Sequence, residues 1–233
     1  MWDTLGAVDA LEEAGWRVIA LDMRGHGQSG KPHDPAKYGL EMSLDIGRLL
    51  DHLNISRAHV VGYSMGAGVT NRFRVTHPDR LLTATLGGFG ATSEESPFVR
   101  RASEFADAMA RGDVGHIMRV LSPPGQSLTQ EQIDAMNRDI GSRNDAQALA
   151  AVLRAQDFVD SVDELRANKV PTLALIGEID PNRKYVDAMV GVMANLTVVV
   201  IPGANHRAAI RDPLFLEELL KFLANHRQST TDD

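Results

Sequence analysis

Cysteine is absent from all 233 residues, which removes disulfides, thiol nucleophiles and thiolate metal sites and fits a reducing compartment. Positive charge is in deficit: 24 Lys and Arg against 31 Asp and Glu give a formal net charge of −7 and a pI near 5.6. That argues against nucleic acid or an anionic membrane as a main partner, because both need clustered basic residues. The sequence has no run of about 18 apolar residues, no leader with a basic start, no internal repeat and no low-complexity segment. These absences lead to the expectation of a cytoplasmic chain with no cofactor, no metal and no membrane contact, and they leave the oligomeric state unspecified. The remainder, 43% hydrophobic and 24% charged, suits a globular chain long enough for one α/β domain with an insertion.

The most informative stretch runs Val60-Val61-Gly62-Tyr63-Ser64-Met65-Gly66-Ala67-Gly68. A short β-branched run reads as a buried strand, and a serine follows it with glycine two residues away on each side. This G-x-S-x-G pattern predicts a strand turning sharply into a helix, with Ser64 at strained backbone angles and its hydroxyl projecting from the corner. Gly62 and Gly66 are expected to remove side chains that would collide where strand and helix pass. The competing reading is a glycine-rich turn with an exposed serine.

A serine nucleophile needs a histidine to take its proton, and that histidine needs a carboxylate. Two further apolar runs supply candidates at their ends. Val170 to Ile176 leads into Gly177-Glu178-Ile179-Asp180, and Leu196 to Ile201 leads into Pro202-Gly203-Ala204-Asn205-His206. In the chain order Ser64, Asp180, His206, all three candidates sit at one edge of an expected parallel sheet, beyond the carboxyl ends of its strands, where open α/β sheets place their sites. Glu178, Asp157 and His226 are weaker rivals.

The chain resembles α/β-hydrolase-fold serine hydrolases of the lid-bearing esterase, lactonase and carbon-carbon-bond hydrolase kind. The residues that carry the resemblance are Asp22 to Ser29, Gly62 to Gly66, Val170 to Asp180 and Pro202 to His206. It implies Ser64 as nucleophile, His206 as general base and acid, Asp180 as the third member and the Met65 amide as an oxyanion donor. It implies a core of residues 1–90 and 167–227, a helical lid at 91–166, and a small-molecule ester, lactone or related carbonyl as substrate. It also implies first strands and a His-Gly oxyanion loop that this sequence lacks, so the expectation is either an N-terminal truncation or a shortened sheet in which the flanking strands pair directly. The alternative function is an impaired hydrolase, or a protein of the same fold that binds a ligand without turnover.

The remaining segments are read in chain order. Met1 to Ala14 has helical periodicity, and Trp16 to Asp22 is expected to be a strand. Gly25 to Gly30 matches G-x-G-x-x-G, but Pro32 and Pro35 forbid the helix that a dinucleotide site would need, so this is a structural turn at the rim of the site and His26 is not the base. Ser43 to Leu53 is expected to be a helix with Leu44, Ile46 or Gly47, and Leu50 inward and Asp45 in solvent; His52 and His59 have no partner spaced for a metal. Helices are expected at Met65–Thr76, Pro97–Arg111, Val114–Leu121, Thr129–Ile140, Asp145–Val159, Arg183–Met193 and Pro213–Ala224, with a strand at Arg80–Gly87. Met109, Met118, Met136, Phe98, Phe105 and Phe158 are candidate pocket linings, though packing of lid on core accounts better for most of them. His116 is expected at the surface, Glu217 is spaced to pair with Lys221, and residues 228–233 are expected to be a disordered tail.

Overall fold

The computed structural model describes residues 2–123, 125–155 and 159–227. In chain order the elements are α1 (Ala7–Glu13), α2 (Leu40–His52), β1 (Ala58–Tyr63), α3 (Met65–Thr76) and β2 (Leu81–Gly87). Six helices follow: α4 (Pro97–Arg100), α5 (Ala102–Ala110), α6 (Gly115–Val120), α7 (Gln130–Arg143), α8 (Ala146–Arg154) and α9 (Val162–Ala167). The chain then returns to the sheet as β3 (Thr172–Gly177), α10 (Arg183–Asp187), β4 (Leu196–Ile201) and α11 (Pro213–Asn225).

The four strands pair in parallel in the order β1-β2-β3-β4. Parallel strands are covered on both faces, and alternate residues point to opposite sides. Leu173 and Leu175 therefore pack with Phe215, Leu219 and Leu223 of α11, where Leu5, Leu11 and Trp16 join them. Ala174 and Ile176 pack with Val186 on the other face, while α2 and α3 pack Met42, Ile46, Val69 and Phe73 beside β2.

Helix starts follow side-chain caps where the sequence offers them. Thr129 and Ser161 form capping boxes with Gln132 and Glu164, while Asp145 and Asp212 cap α8 and α11. Each such cap contributes about 1 kcal/mol.

Several expectations are corrected. Trp16 to Asp22 forms no strand. β1 is the outer strand of the sheet and residues 16–22 make no ladder with it, so direct pairing of the two does not occur and Ile19 and Leu21 stay 40% and 37% exposed. The buried face of α2 is Met42, Ser43, Ile46 and Leu50; Leu44 is only half-buried, because at helical spacing it lies on the side of α2 away from that stripe. Asp45 is not merely solvated, since the Arg24 guanidinium donates to both its oxygens at 2.5 and 2.6 Å. Arg101 breaks the Pro97–Arg111 helix in two, and the crossover helix ends at Asp187. On α11 the buried face includes Phe215 and Phe222, and Lys221 pairs with Glu218, not Glu217.

Candidate active site

Ser64 sits between β1 and α3 with φ 53° and ψ −119°, the strained corner expected of the elbow. Its amide donates to the Gly87 carbonyl at 2.7 Å, which ties the corner to the end of β2. A Cβ on Gly62 would lie 2.2 Å from the Gly66 carbonyl oxygen, so glycine is obligatory there. Gly66 behaves otherwise: a Cβ there would meet nothing within 4 Å, and the expected collision is absent because that position faces open space. Met65 opens α3, so its amide is among the N–H groups that a helix leaves free at its first turn.

The three sequence candidates converge. Asp180 Oδ2 lies 2.8 Å from His206 Nδ1, and His206 Nε2 lies 2.9 Å from Ser64 Oγ. The carboxylate holds the imidazole proton on Nδ1, leaving Nε2 to accept from the serine hydroxyl. Asp180 Oδ1 accepts from the Asn182 amide at 2.9 Å. Asp180 and His206 are each 4% exposed. The Tyr63 hydroxyl donates to the His206 carbonyl at 2.5 Å, and burial pushes the pKa of that hydroxyl upward. A Cβ on Gly88 would come within 2.9 Å of the His206 ring, so Gly88, the residue after β2, clears room for the imidazole.

The rivals stay apart from this chain of contacts. Glu178 accepts from the Gly203 amide instead, and His226 faces the Phe222 carbonyl. Asp157 lies outside the described residues. No group of three or more His, Cys, Asp or Glu among the described residues could hold a metal ion. His59 meets Thr83 Oγ1 at 2.8 Å and the edge of Trp16. Gly25 donates to the Gly30 carbonyl in a closed turn with no helix behind it, so the dinucleotide pattern does not form its motif.

A cavity of about 340 Å³ opens beside Ser64, within the range of small-molecule pockets. Of the candidate linings, Phe98, Met109 and Met118 reach it. Phe105 is fully buried against Phe98 instead, Met136 packs among the helices around Met109, and Phe158 lies outside the described residues. His116 faces Glu104 at 3.2 Å, away from the cavity.

Sequence reasoning placed the turn that holds His26 at the rim of the site, where His26 lines the cavity, but missed that Asn144, Asn182 and Tyr185 line it too. Only the proximity of Asn182 to Asp180 in sequence was a signal for any of them. It also missed Gly177, where a Cβ would lie 2.2 Å from the Ala204 carbonyl oxygen; this glycine lets the loop after β4 cross the end of β3.

Comparison with known proteins agrees with this fold. Residues 1–108 match the family described as alpha/beta hydrolase fold. The chain is 30% identical over 221 residues to a non-heme haloperoxidase of Rhodococcus erythropolis, covering 84% of this chain and 77% of the relative. It is 27% identical over 194 residues to a 2-hydroxy-6-oxononadienedioate/2-hydroxy-6-oxononatrienedioate hydrolase of Burkholderia vietnamiensis, covering 79% and 66%. The crystal structure of the enol-lactonase from Burkholderia xenovorans superposes with a TM-score of 0.74 at 27% identity, covering 95% of this chain and 86% of that one. The chain belongs to the alpha/beta hydrolase family. No helix among the described residues is long and apolar enough to cross a membrane.

Proposed function

We propose that this chain is a serine hydrolase that transfers the acyl group of a small carboxylic ester, lactone or related carbonyl compound to water. The observation that carries this reading is the unbroken line of hydrogen bonds from Asp180 through His206 to Ser64, ending at the cavity. Ser64 Oγ attacks the carbonyl carbon as its proton passes to His206 Nε2, and buried Asp180 steadies the imidazolium. The oxyanion faces the Met65 amide. Collapse breaks the bond to the leaving group, which takes the proton from His206; a water molecule, deprotonated by the same imidazole, then releases the acid and restores Ser64. Helices α4–α8 act as the lid, since they and the turn after α6 supply most of the apolar cavity wall. The names of the relatives differ in substrate, so the family alone does not choose one.

The test is hydrolysis of p-nitrophenyl butyrate together with intact-mass detection of a fluorophosphonate adduct. The expected result is turnover and one adduct, both lost in Ser64→Ala, with turnover lower by roughly 10⁴–10⁶. Folded protein that gives neither turnover nor adduct, yet melts higher with a bound ester analogue, would replace this reading with that of a binding protein.

A further inference from the structure

The cavity beside Ser64 has no countercharge. All of the 24 Lys and Arg residues fall among the described residues, and none of them lines it. Its walls from the helices between β2 and β3 are apolar, with Met109, Met118, Leu149 and Leu153 among them, and its polar groups include the neutral side chains of Ser96, Asn144, Asn182 and Tyr185.

Basic groups near these walls are committed elsewhere. Lys184 is exposed and packs over the Tyr185 ring at 5.0 Å. Arg207 reaches the Met136 sulfur at 3.5 Å, and Arg24 is held by Asp45 and the Lys37 carbonyl. Among the described residues the one imidazole lining the cavity, His26, turns Nδ1 to the Arg24 carbonyl at 3.2 Å, and burial lowers its pKa below the ordinary histidine value. Burial therefore favours its neutral form. A carboxylate carried into this space would lose its hydration and find no cation, which is unfavourable for any buried charge.

Resting on the serine-hydrolase reading above, we propose that the site takes uncharged carbonyl substrates with an apolar acyl chain and rejects those whose chain ends in a carboxylate. At roughly 30 Å³ per water-sized group, the cavity admits on the order of ten non-hydrogen atoms, which fits an acyl chain of about six to eight carbons. Selection is by charge, and it separates this chain from any hydrolase whose substrate is a dicarboxylate.

The test compares three activated esters at pH 7.5: p-nitrophenyl hexanoate, the mono-p-nitrophenyl ester of adipic acid with its free carboxylate, and the methyl ester of that second compound. The expected kcat/KM for the carboxylate is at least 100-fold below that of hexanoate, with the methyl ester recovering to within tenfold. That recovery assigns the loss to charge, since the methyl ester is the largest of the three. Values for carboxylate and hexanoate within threefold of each other would overturn the proposal, and so would a methyl ester as poor as the acid. Asn144→Lys, which brings a cation to the cavity wall, should narrow the ratio at least tenfold; an unchanged ratio in a folded variant would also count against charge as the cause. If folded protein hydrolyses none of the three, the hydrolase reading fails, and calorimetric binding of hexanamide against adipic monoamide still judges the pocket. Tighter binding of hexanamide by tenfold or more upholds the charge selection, and equal binding overturns it.

Discussion

Ser64 and His206 leave the two outer strands of the sheet, β1 and β4, and still meet at 2.9 Å. Three strand spacings separate those strands, on the order of 14 Å. The gap is closed by loops: the segment after β4 turns back over the end of β3, where the Ile179 amide donates to the Ala204 carbonyl at 3.1 Å and Gly177 leaves room for the crossing. Adding a methyl group at Gly177 would push this loop and carry His206 away from Ser64. Gly177→Ala is expected to lower kcat by about 100-fold, the scale of a misplacement near 1 Å, with a smaller change in KM; steady-state kinetics on the butyrate ester measure both.

The two glycines of the elbow are expected to respond in opposite ways. Gly62→Ala places a methyl group against the Gly66 backbone at 2.2 Å, and overpacking against backbone costs on the order of 3 kcal/mol. Gly66→Ala meets nothing within 4 Å inside the α3 helix, where alanine is favoured over glycine by about 1 kcal/mol. Urea denaturation of the two variants checks the contrast, and equal losses would contradict the packing of strand on helix.

Asp160 stands where the chain returns from the helices between β2 and β3. Its carboxyl accepts from Asn71 Nδ2 of α3 at 2.7 Å and from the Thr92 amide at 3.3 Å, and its own amide donates to the Thr92 carbonyl. Asn71 Oδ1 in turn accepts from the fully buried Arg74. Burial raises the pKa of Asp160 to about 6, against the pull of its hydrogen bonds and of Arg74. With the folded value above the unfolded one, its contribution to stability is complete below about pH 4 and is lost as pH rises through about 6. Asp160→Ala should therefore destabilise more at pH 5 than at pH 7.5, by roughly 1–2 kcal/mol, in denaturation curves at the two pH values.

His59 carries the opposite sign. Burial, with His226 and Arg57 nearby, lowers its pKa to about 4, so the folded chain favours the neutral ring between Thr83 and Trp16. Stability present above about pH 6.5 is lost as pH falls towards 4. His59→Gln is expected to lose less stability than the parent on acidification from pH 7 to 5, read as the change in urea midpoint.

The helical elements were legible where local chemistry decides them. Met65–Thr76 forms over its expected span, since the elbow opens it and His77-Pro78 stops it. Leu196–Ile201 likewise forms as read. Trp16 to Asp22 was misread because its apolar pattern describes a strand but a strand also needs a neighbour to pair with. The face of α2 was misplaced because the apolar residues Leu44, Ile46 and Leu50 do not share one stripe, and only packing of Met42 with Ile46 and Leu50 in the core decides which side turns inward.

The sequence by itself determined the nucleophile candidate, its two supporting residues and their order, because each is fixed by a short motif at the end of an apolar run and needs only its chain neighbours. Tertiary structure alone decided that Asp180, His206 and Ser64 touch, that Gly177 opens the path for the closing loop, that Asp160 ties α3 to the chain entering and leaving the inserted helices, and that the cavity walls hold no cation. Those features join residues up to 142 positions apart. Side chains that distant share a site only through the packing of the whole sheet and its helices, which no local pattern encodes.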